Sequence, residues 1–188
     1  MTKAWAEPFN KSAAIKAVVD GGGPSSAKIK AMVDSGKVTW DVVDRNLIAG
    51  LELGRQNLLE KIDYAIVDKK KVRPEHAGEW AVGSYIYANV LTYRKDAFGG
   101  RIPKTWKDFW NLKDFPGKRT LRKHIDGQLE AALLADGVAP DKLYPIDVKR
   151  ALDKIKQIKK DTIFWSTGAE SQQLFRDKEV SMGGLWNT

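Results

Sequence analysis

The sequence predicts an α/β fold, because short apolar runs that favour strands alternate with segments that favour helices. The strand-like runs are rich in β-branched and aromatic residues, and the helix-like segments carry apolar residues at helical spacing. Such alternation indicates a parallel or mixed sheet with helices packed against it. Two glycines and a proline break the chain at residues 98–103, between the two series of alternating elements. We therefore predict two lobes, residues 1–100 and residues 101–188.

The first lobe begins with a helical segment and then alternates strands and helices. Its predicted helices lie at residues 4–9, 26–34 and 47–59, and its predicted strands at residues 15–19, 38–43 and 85–93. Gly21, Gly22 and Gly23 break the chain after the first strand. Ser25 and Ser26 then supply the hydroxyl groups that cap a helix N-terminus.

The second lobe repeats the alternation and ends in its most informative segment. Its predicted helices lie at residues 106–115, 126–136 and 147–160, and its predicted strands at residues 119–123, 162–165 and 182–186. Between the last two strands, Ser166, Thr167 and Gly168 suit a turn and a helix N-cap, with Glu170 in the first turn. A strand tip beside exposed amides and an aromatic residue is the usual mouth of an open α/β sheet, where small ligands bind.

Composition excludes several classes of protein. The chain contains no cysteine, which excludes disulfides and thiolate catalysis, and His76 and His124 lie far apart. We therefore expect no metal and no cofactor. No apolar run approaches the roughly 20 residues that a membrane helix needs, and no signal-peptide pattern is present at the N-terminus. We expect no membrane insertion.

The formal charge of +8 is spread over the chain. Residues 1–100 hold an excess of three positive charges, and residues 101–188 an excess of five. Denser basic spots occur at 118–123 and at 149–160, and the second alternates with aspartates around an apolar stripe, as on a solvated helix face. We expect no nucleic-acid partner. A basic interaction module using residues 118–123 stays open as an alternative, and its affinity would fall steeply with salt.

Several segments, in order, resemble the periplasmic solute-binding proteins of ABC importers, in the spermidine/putrescine-type branch. The matching segments are SAKIKAMV at 26–33, WDVV at 40–43, YRKDAF at 93–98, PKTWKDFW at 103–110, FPGK at 115–118, STGAESQQLF at 166–175 and VSMGGLWN at 180–187. The resemblance covers nearly the whole chain. It implies a type II-like periplasmic binding protein fold, with two lobes that close by a hinge on a ligand, and with no chemical step.

The resemblance also implies a transport function. The chain would capture a small solute, polyamine-like or other, for an ABC transporter permease in a bacterial periplasm. Compared with the family, the chain is short at both ends, so we expect lobe one to be incomplete and the chain to be a fragment, natural or engineered. Incomplete sheets expose edges and apolar surface, and we therefore expect homo-oligomers. A selected fragment that acts as a self-associating module is the alternative.

In the first lobe, the resemblance places Asp44, Ser84 and Tyr85 at the ligand wall. Asp44 follows the strand at 38–43, and its alternative role is to cap the helix that begins near Leu47. Tyr85 offers an aromatic face to an alkyl ammonium, or packs in the core. Gly21 to Gly23 offer backbone amides to an anion, although no nucleotide motif surrounds them.

In the second lobe, we predict Trp165, Ser166, Glu170 and Trp186 as ligand-binding residues. Glu170 has a purely structural alternative as the acidic partner of the helix dipole, and Trp186 as a buried strand residue. Asp44 and Glu170 supply only two carboxylates, fewer than a polyamine site needs. We predict no enzyme, because nothing in the sequence fixes a pair of carboxylates for acid–base work and no serine lies in a nucleophile elbow.

Overall fold

The computed structural model describes residues 2–20 and 24–187, which divide into two compact units, Met1–Ile86 and Tyr87–Thr188. The predicted lobe boundary at residue 100 lies on the C-terminal side of this division, because strand β1 (Asn89–Tyr93) pairs within the second unit. The lobe boundary itself stays a prediction. The break predicted at Gly21 to Gly23 lies outside the described residues.

The first unit is helical where the sequence predicts helices. A π-helical turn at Thr2–Ala6 leads into α1 (Glu7–Ser12), and α2 (Ser26–Asp34) and α3 (Leu47–Arg55) follow, with 3-10 turns at Lys69–Lys71 and Pro74–His76. The Ser25 side chain accepts a hydrogen bond from the Lys28 amide at 3.1 Å, so the predicted cap is confirmed. A small core of Ile29, Leu53 and Leu58 holds α2 against α3.

The strands predicted at residues 15–19 and 38–43 are wrong. Within residues 2–20 and 24–86 the structure contains no strand ladder, only an isolated bridge between Ala77 and Val82. Val18 is 88% exposed and Val42 is 90% exposed. β-branched residues favour extended backbone, but a strand forms only where a partner strand takes up its backbone hydrogen bonds.

Helix α3 ends earlier than predicted, at Arg55 rather than residue 59. Asn57 adopts a left-handed conformation with φ 56, and the Leu58 amide donates to the Leu53 carbonyl at 3.0 Å. This hydrogen-bonded turn terminates a helix by satisfying its last carbonyl groups. Asparagine tolerates the left-handed region better than most residues, so the stop signal is local.

The second unit contains the other helices and all four strands of the described residues. Its helices are α4 (Trp106–Trp110), α5 (Gln128–Ala135), α6 (Val148–Ile158) and α7 (Gly168–Arg176), and its strands after β1 are β2 (Arg119–Arg122), β3 (Thr162–Trp165) and β4 (Met182–Trp186). These elements confirm the predicted order of helices and strands, although α4 ends at Trp110 rather than at residue 115. The strand predicted at 85–93 is shorter, because ladder pairing starts only at Asn89 opposite Trp186.

The four strands form one mixed sheet in the order β1-β4-β2-β3. Strand β2 pairs in parallel with both β3 and β4, whereas β1 pairs antiparallel with β4. Arg122 lies opposite Trp165 in this register. The prediction of a parallel or mixed sheet is confirmed. The carboxyl ends of β2, β3 and β4 consequently meet at one edge.

The core of the second unit surrounds a buried arginine. Arg119 is fully buried, and its guanidinium donates hydrogen bonds to four backbone carbonyl groups, those of Phe109, Asn111, Phe115 and Gly117. Burial lowers the pKa of Arg119 to about 10, so the side chain remains charged at neutral pH. The cation therefore fixes the connection between α4 and β2 against the sheet.

Candidate functional site

The candidate site lies at the edge where β2, β3 and β4 end. Arg122, Trp165 and Trp186 are the last residues of these three strands. In open α/β sheets, ligands bind outside the carboxyl ends of parallel strands. Each of these strands is only four or five residues long and stops at a turn or loop. The sheet order then places the three terminal side chains together.

Trp186 is the centre of the cluster. Its ring meets the Trp165 ring edge-on, with centroids 4.9 Å apart and planes at 89°, and it meets the Tyr87 ring edge-on at 5.8 Å. The Arg122 guanidinium carbon lies 4.6 Å from the Trp186 ring centroid. Trp165 is almost fully buried, and its indole nitrogen donates to the Gly184 carbonyl at 3.3 Å. The two tryptophans therefore form a rigid aromatic floor.

The Arg122 side chain has this aromatic contact but no ionic partner. Within the described part of the chain, its guanidinium makes no hydrogen bond and no ion pair, and it also lies 6.0 Å from the Trp165 ring centroid. A guanidinium stacked on an aromatic face keeps its planar fork of N–H donors available at the rim. Arg122 is not among the residues predicted for the site, since in the sequence it stands out only as part of the basic spot at 118–123. The available signal was a cation at the last position of a buried strand.

The N-terminus of α7 is already occupied by its own side chains. The Thr167 hydroxyl accepts from the Glu170 amide at 3.2 Å. The Glu170 carboxylate in turn accepts from the Ser166 amide at 2.6 Å and from the Thr167 amide at 3.2 Å. The hydrogen bond from the Ser166 amide, and to a lesser extent the one from the Thr167 amide, lower the pKa of Glu170. The structural role that the sequence allowed for Glu170 is therefore realised as a capping box.

A shallow pocket of about 240 Å³ lies against β3 and α7. Its lining residues are Ile163, Phe164, Trp165, Glu170, Gln173, Leu174 and Glu179. It therefore contains two of the predicted site residues, Trp165 and Glu170. A second pocket of about 330 Å³ follows α6, where Arg150 and Lys154 pair with Asp136, and Lys149 pairs with Asp153. The cations in that second pocket already have partners.

The predicted site residues of the first unit form a separate group. The Tyr85 hydroxyl donates to the Asp44 carboxylate at 3.1 Å. The Tyr85 ring also lies 5.7 Å from the Trp5 ring, tilted by 49°. Ser84 is exposed next to this pair. Asn46, and not Asp44, caps α3, because the Asn46 side chain accepts from the Ala49 amide at 2.8 Å.

Two further observations concern the chemistry that the described residues offer. No group of three His, Asp or Glu side chains lies close enough to hold a metal ion within residues 2–20 and 24–187. Over the same residues, none of the helices has the length and apolar character needed to cross a membrane. The candidate site comprises the Arg122 guanidinium, the Trp165 and Trp186 rings and the capped N-terminus of α7.

Comparison with known proteins identifies the family. The bacterial extracellular solute-binding protein family matches residues 4–188. The chain is 38% identical to the gamma-aminobutyric acid-binding protein of Pseudomonas aeruginosa, covering 98% of this chain and 54% of that protein. It is 44% identical to the solved Atu4243-GABA receptor, with a TM-score of 0.89, covering 99% of this chain and 58% of that one. An ABC transporter substrate-binding protein from Bradyrhizobium japonicum is 42% identical, with a TM-score of 0.87, over 96% of this chain and 57% of that one.

The chain thus spans little more than half the length of these relatives. The spermidine/putrescine protein PotD of Streptococcus pneumoniae is only 16% identical, with a TM-score of 0.68, over 97% of this chain and 58% of that one. That likeness reaches the fold alone, so the polyamine branch has no specific support. The alternative of a self-associating or basic module is not favoured, because the family match runs through the whole described chain. These relatives are substrate-binding proteins and not enzymes. The fold is that of the periplasmic binding proteins, and the chain belongs to the bacterial extracellular solute-binding protein family.

Proposed function

We propose that this chain binds a small solute carrying a carboxylate group, as part of the solute-binding component of a bacterial ABC importer that works in the periplasm. The observation that carries the proposal is the Arg122 guanidinium, stacked 4.6 Å from the centroid of the Trp186 ring and without an ionic partner in the described part of the chain. Arginine binds carboxylates through two parallel N–H···O hydrogen bonds. The ligand we propose is gamma-aminobutyric acid or a close analogue.

The aromatic floor supports this ligand class. The cation lies over the Trp186 ring and beside the Trp165 ring, and Trp186 in turn meets Trp165 and Tyr87 edge-on. Apolar walls exclude water, which strengthens a charge-assisted hydrogen bond to the guanidinium. The same walls pack against the methylene groups of a short amino acid. Two relatives with 38% and 44% identity carry gamma-aminobutyric acid in their names, which supports the same class.

A polyamine fits this edge poorly. A polyamine needs a carboxylate for each ammonium group, but the cluster presents a cation. Two carboxylates that follow the ends of β2 and β3 are engaged, since Glu170 accepts from the Ser166 amide and Asp126 lies 3.2 Å from the His124 ring nitrogen. We retain Trp165 and Trp186 as ligand-contacting residues. We propose that Ser166 and Glu170 shape the wall of the binding site. Asp44, Ser84 and Tyr85 stay predicted ligand-binding residues of the first unit.

Calorimetric titration of gamma-aminobutyric acid tests the proposal. Arg122→Met should weaken binding by roughly ten- to a hundredfold, because a hydrogen bond to a charged group contributes about 1.5–3 kcal/mol. Arg101→Met is a matched control, since Arg101 also stacks on an aromatic ring, Phe115, but its Nε already donates to the Phe98 carbonyl. That control should bind as tightly as the unchanged protein.

The titration contradicts the proposal if the unchanged protein fails to bind gamma-aminobutyric acid. It also contradicts the proposal if Arg122→Met binds this ligand as tightly as the unchanged protein does, or if putrescine binds in its place. Native mass spectrometry of the purified chain provides an independent reading, since it detects any small molecule that remains bound. A retained molecule without a carboxylate group would also contradict the proposed ligand class.

We further propose that the chain associates with a second copy through its first unit. Ile15, Val18, Val42, Ile48 and Ile66 are each more than 70% exposed there. Large exposed apolar areas commonly mark interaction surfaces. Sedimentation velocity over a range of concentrations should give a dimer that Val18→Lys with Val42→Lys dissociates. Val148→Lys, on the half-exposed surface of α6, should leave it intact. A monomer at every concentration would disprove the association.

A further inference from the structure

A second polar cluster adjoins the candidate site at the loop of residues 123–127, which joins β2 to α5. The Asp126 carbonyl in this loop accepts two side-chain hydrogen bonds, from Asn89 Nδ2 at 3.3 Å and from Gln128 Nε2 at 3.3 Å. Asn89 begins β1 and Gln128 begins α5. Two elements that are distant in sequence therefore fasten the same carbonyl group.

The cluster connects both members of the Arg122–Trp186 pair. Asn89 lies on β1 as the ladder partner of Trp186, so its side chain links the strand paired with Trp186 to the loop. At the other end, the loop begins directly after Arg122. The Asp126 carbonyl thus ties the loop that follows Arg122 to the residue that pairs with Trp186.

Both amide side chains give up hydrogen bonds to hold this position. The side-chain oxygens of Asn89 and Gln128 are buried and have no partner in the described part of the chain, and Gln128 is only 3% exposed. Buried amide oxygens are normally hydrogen-bonded, and an unpaired one disfavours the folded state. An apolar side chain in place of Gln128 would avoid that cost. The arrangement is therefore unfavourable for stability alone.

We propose that Asn89 and Gln128 are positioning residues, which set the geometry of the Arg122–Trp186 pair through the Asp126 carbonyl. This proposal rests on the proposed function, because that function assigns a ligand to the Arg122–Trp186 pair. The two donors are redundant for the carbonyl, since either one alone still satisfies it. Loss of one donor should therefore have a small effect, and loss of both a large one.

The first experiment needs no ligand. The Trp186 ring should shift the NMR signal of the Arg122 Nε–H group, because the guanidinium lies over it. The loss of that signal in Arg122→Lys identifies it. Gln128→Met combined with Asn89→Ala should move that signal toward the value of an unstacked arginine, whereas either single variant moves it less. Thr120→Val is the matched control, because Thr120 lies on β2 with Arg122 and the change removes the partly buried hydrogen bond from its hydroxyl to the Ile163 carbonyl on β3. That control should leave the signal in place.

The second experiment measures the affinity for gamma-aminobutyric acid and the thermal midpoint of each variant. The double variant should bind at least about tenfold more weakly, whereas Gln128→Met alone should melt at the same temperature as the unchanged protein or higher. A purely structural role would instead predict that Gln128→Met melts at a lower temperature than the unchanged protein. The proposal is overturned if the double variant keeps its NMR signal, if it binds as before, or if Thr120→Val weakens binding equally. Failure of the unchanged protein to bind would instead reject the proposed ligand, and the NMR result would then decide this proposal by itself.

Discussion

The two units use similar sequence patterns with different results. In the second unit, each predicted strand pairs in a four-stranded mixed sheet. In the first unit, the β-branched runs at 15–19 and 38–43 have no ladder within the described residues, and Val18 and Val42 are almost fully exposed. Local preference is the same in both units. The comparison teaches that β-branched composition produces a strand only where the fold supplies a partner.

Amide hydrogen exchange should separate the two units by the largest margin. Amides of the central strand β4 should exchange slower than those at residues 38–43 by on the order of a thousandfold or more, because their opening requires unfolding of the second unit. Exchange followed by mass spectrometry measures both segments in one sample. Comparable protection of residues 38–43 would mean that these residues have a strand partner in solution.

Removing the buried cation should break the second unit. Arg119→Met leaves the carbonyl groups of Phe109, Asn111, Phe115 and Gly117 without their donor, and we expect a loss of about 3–5 kcal/mol in the free energy of unfolding. Chemical denaturation measures this loss. Lys149→Met on the exposed face of α6 is the control and should melt almost unchanged. Equal stability of both variants would show that the arginine is dispensable.

Adding a methyl group should distinguish the packing of the two units. A Cβ at Gly183 would lie 2.5 Å from Leu185 and 2.7 Å from Thr120 inside the sheet, so Gly183→Ala should cost about 1–3 kcal/mol. Gly54→Ala in α3 would place its Cβ closer still to the ring atoms of the half-buried Trp80, so the whole ring would have to move. The helix preference of alanine offsets only about 1 kcal/mol of that cost. Denaturation curves should therefore show Gly54→Ala destabilised at least as much as Gly183→Ala, and the reverse order would contradict this difference.

The smallest effect concerns the capping box of α7. Thr167→Ala should cost about 1 kcal/mol, the usual value of a helix N-cap. Glu170→Gln should also lower the melting temperature at pH 7. Because the folded state lowers the pKa of Glu170, its contribution is complete above the unfolded value near pH 4 and is lost as the pH falls through the folded value. Melting curves of Glu170→Gln and the unchanged protein should therefore converge below about pH 4, and a gap that persists there would exclude this origin.

Features that depend on neighbouring residues could be predicted from the sequence. Ser25 caps α2 and β3 spans Thr162–Trp165 as expected, because a hydroxyl before a helix and a short apolar run act locally. The alternation of helix-like and strand-like segments was likewise sufficient to predict the α/β class. Glu170 also lies in the first turn of α7, as the sequence predicted.

The centre of the candidate site could not be predicted in this way. Arg122 reads as one of several basic residues, since its chemistry depends on Trp186, which is far along the chain. The clamp on the Asp126 carbonyl depends on Asn89 and Gln128 in the same manner. No local spacing rule relates these positions, because β1, β2 and β4 become neighbours only through the order of the sheet.

The sequence by itself determined the family, the α/β class and the positions of most helices and strands in the second unit. Those properties follow from side-chain preferences that act over a few residues. The tertiary structure alone decided which extended segments became strands, and which cation came to lie on which aromatic ring. Both outcomes depend on hydrogen bonds and contacts between distant segments, and such contacts exist only once the chain is folded.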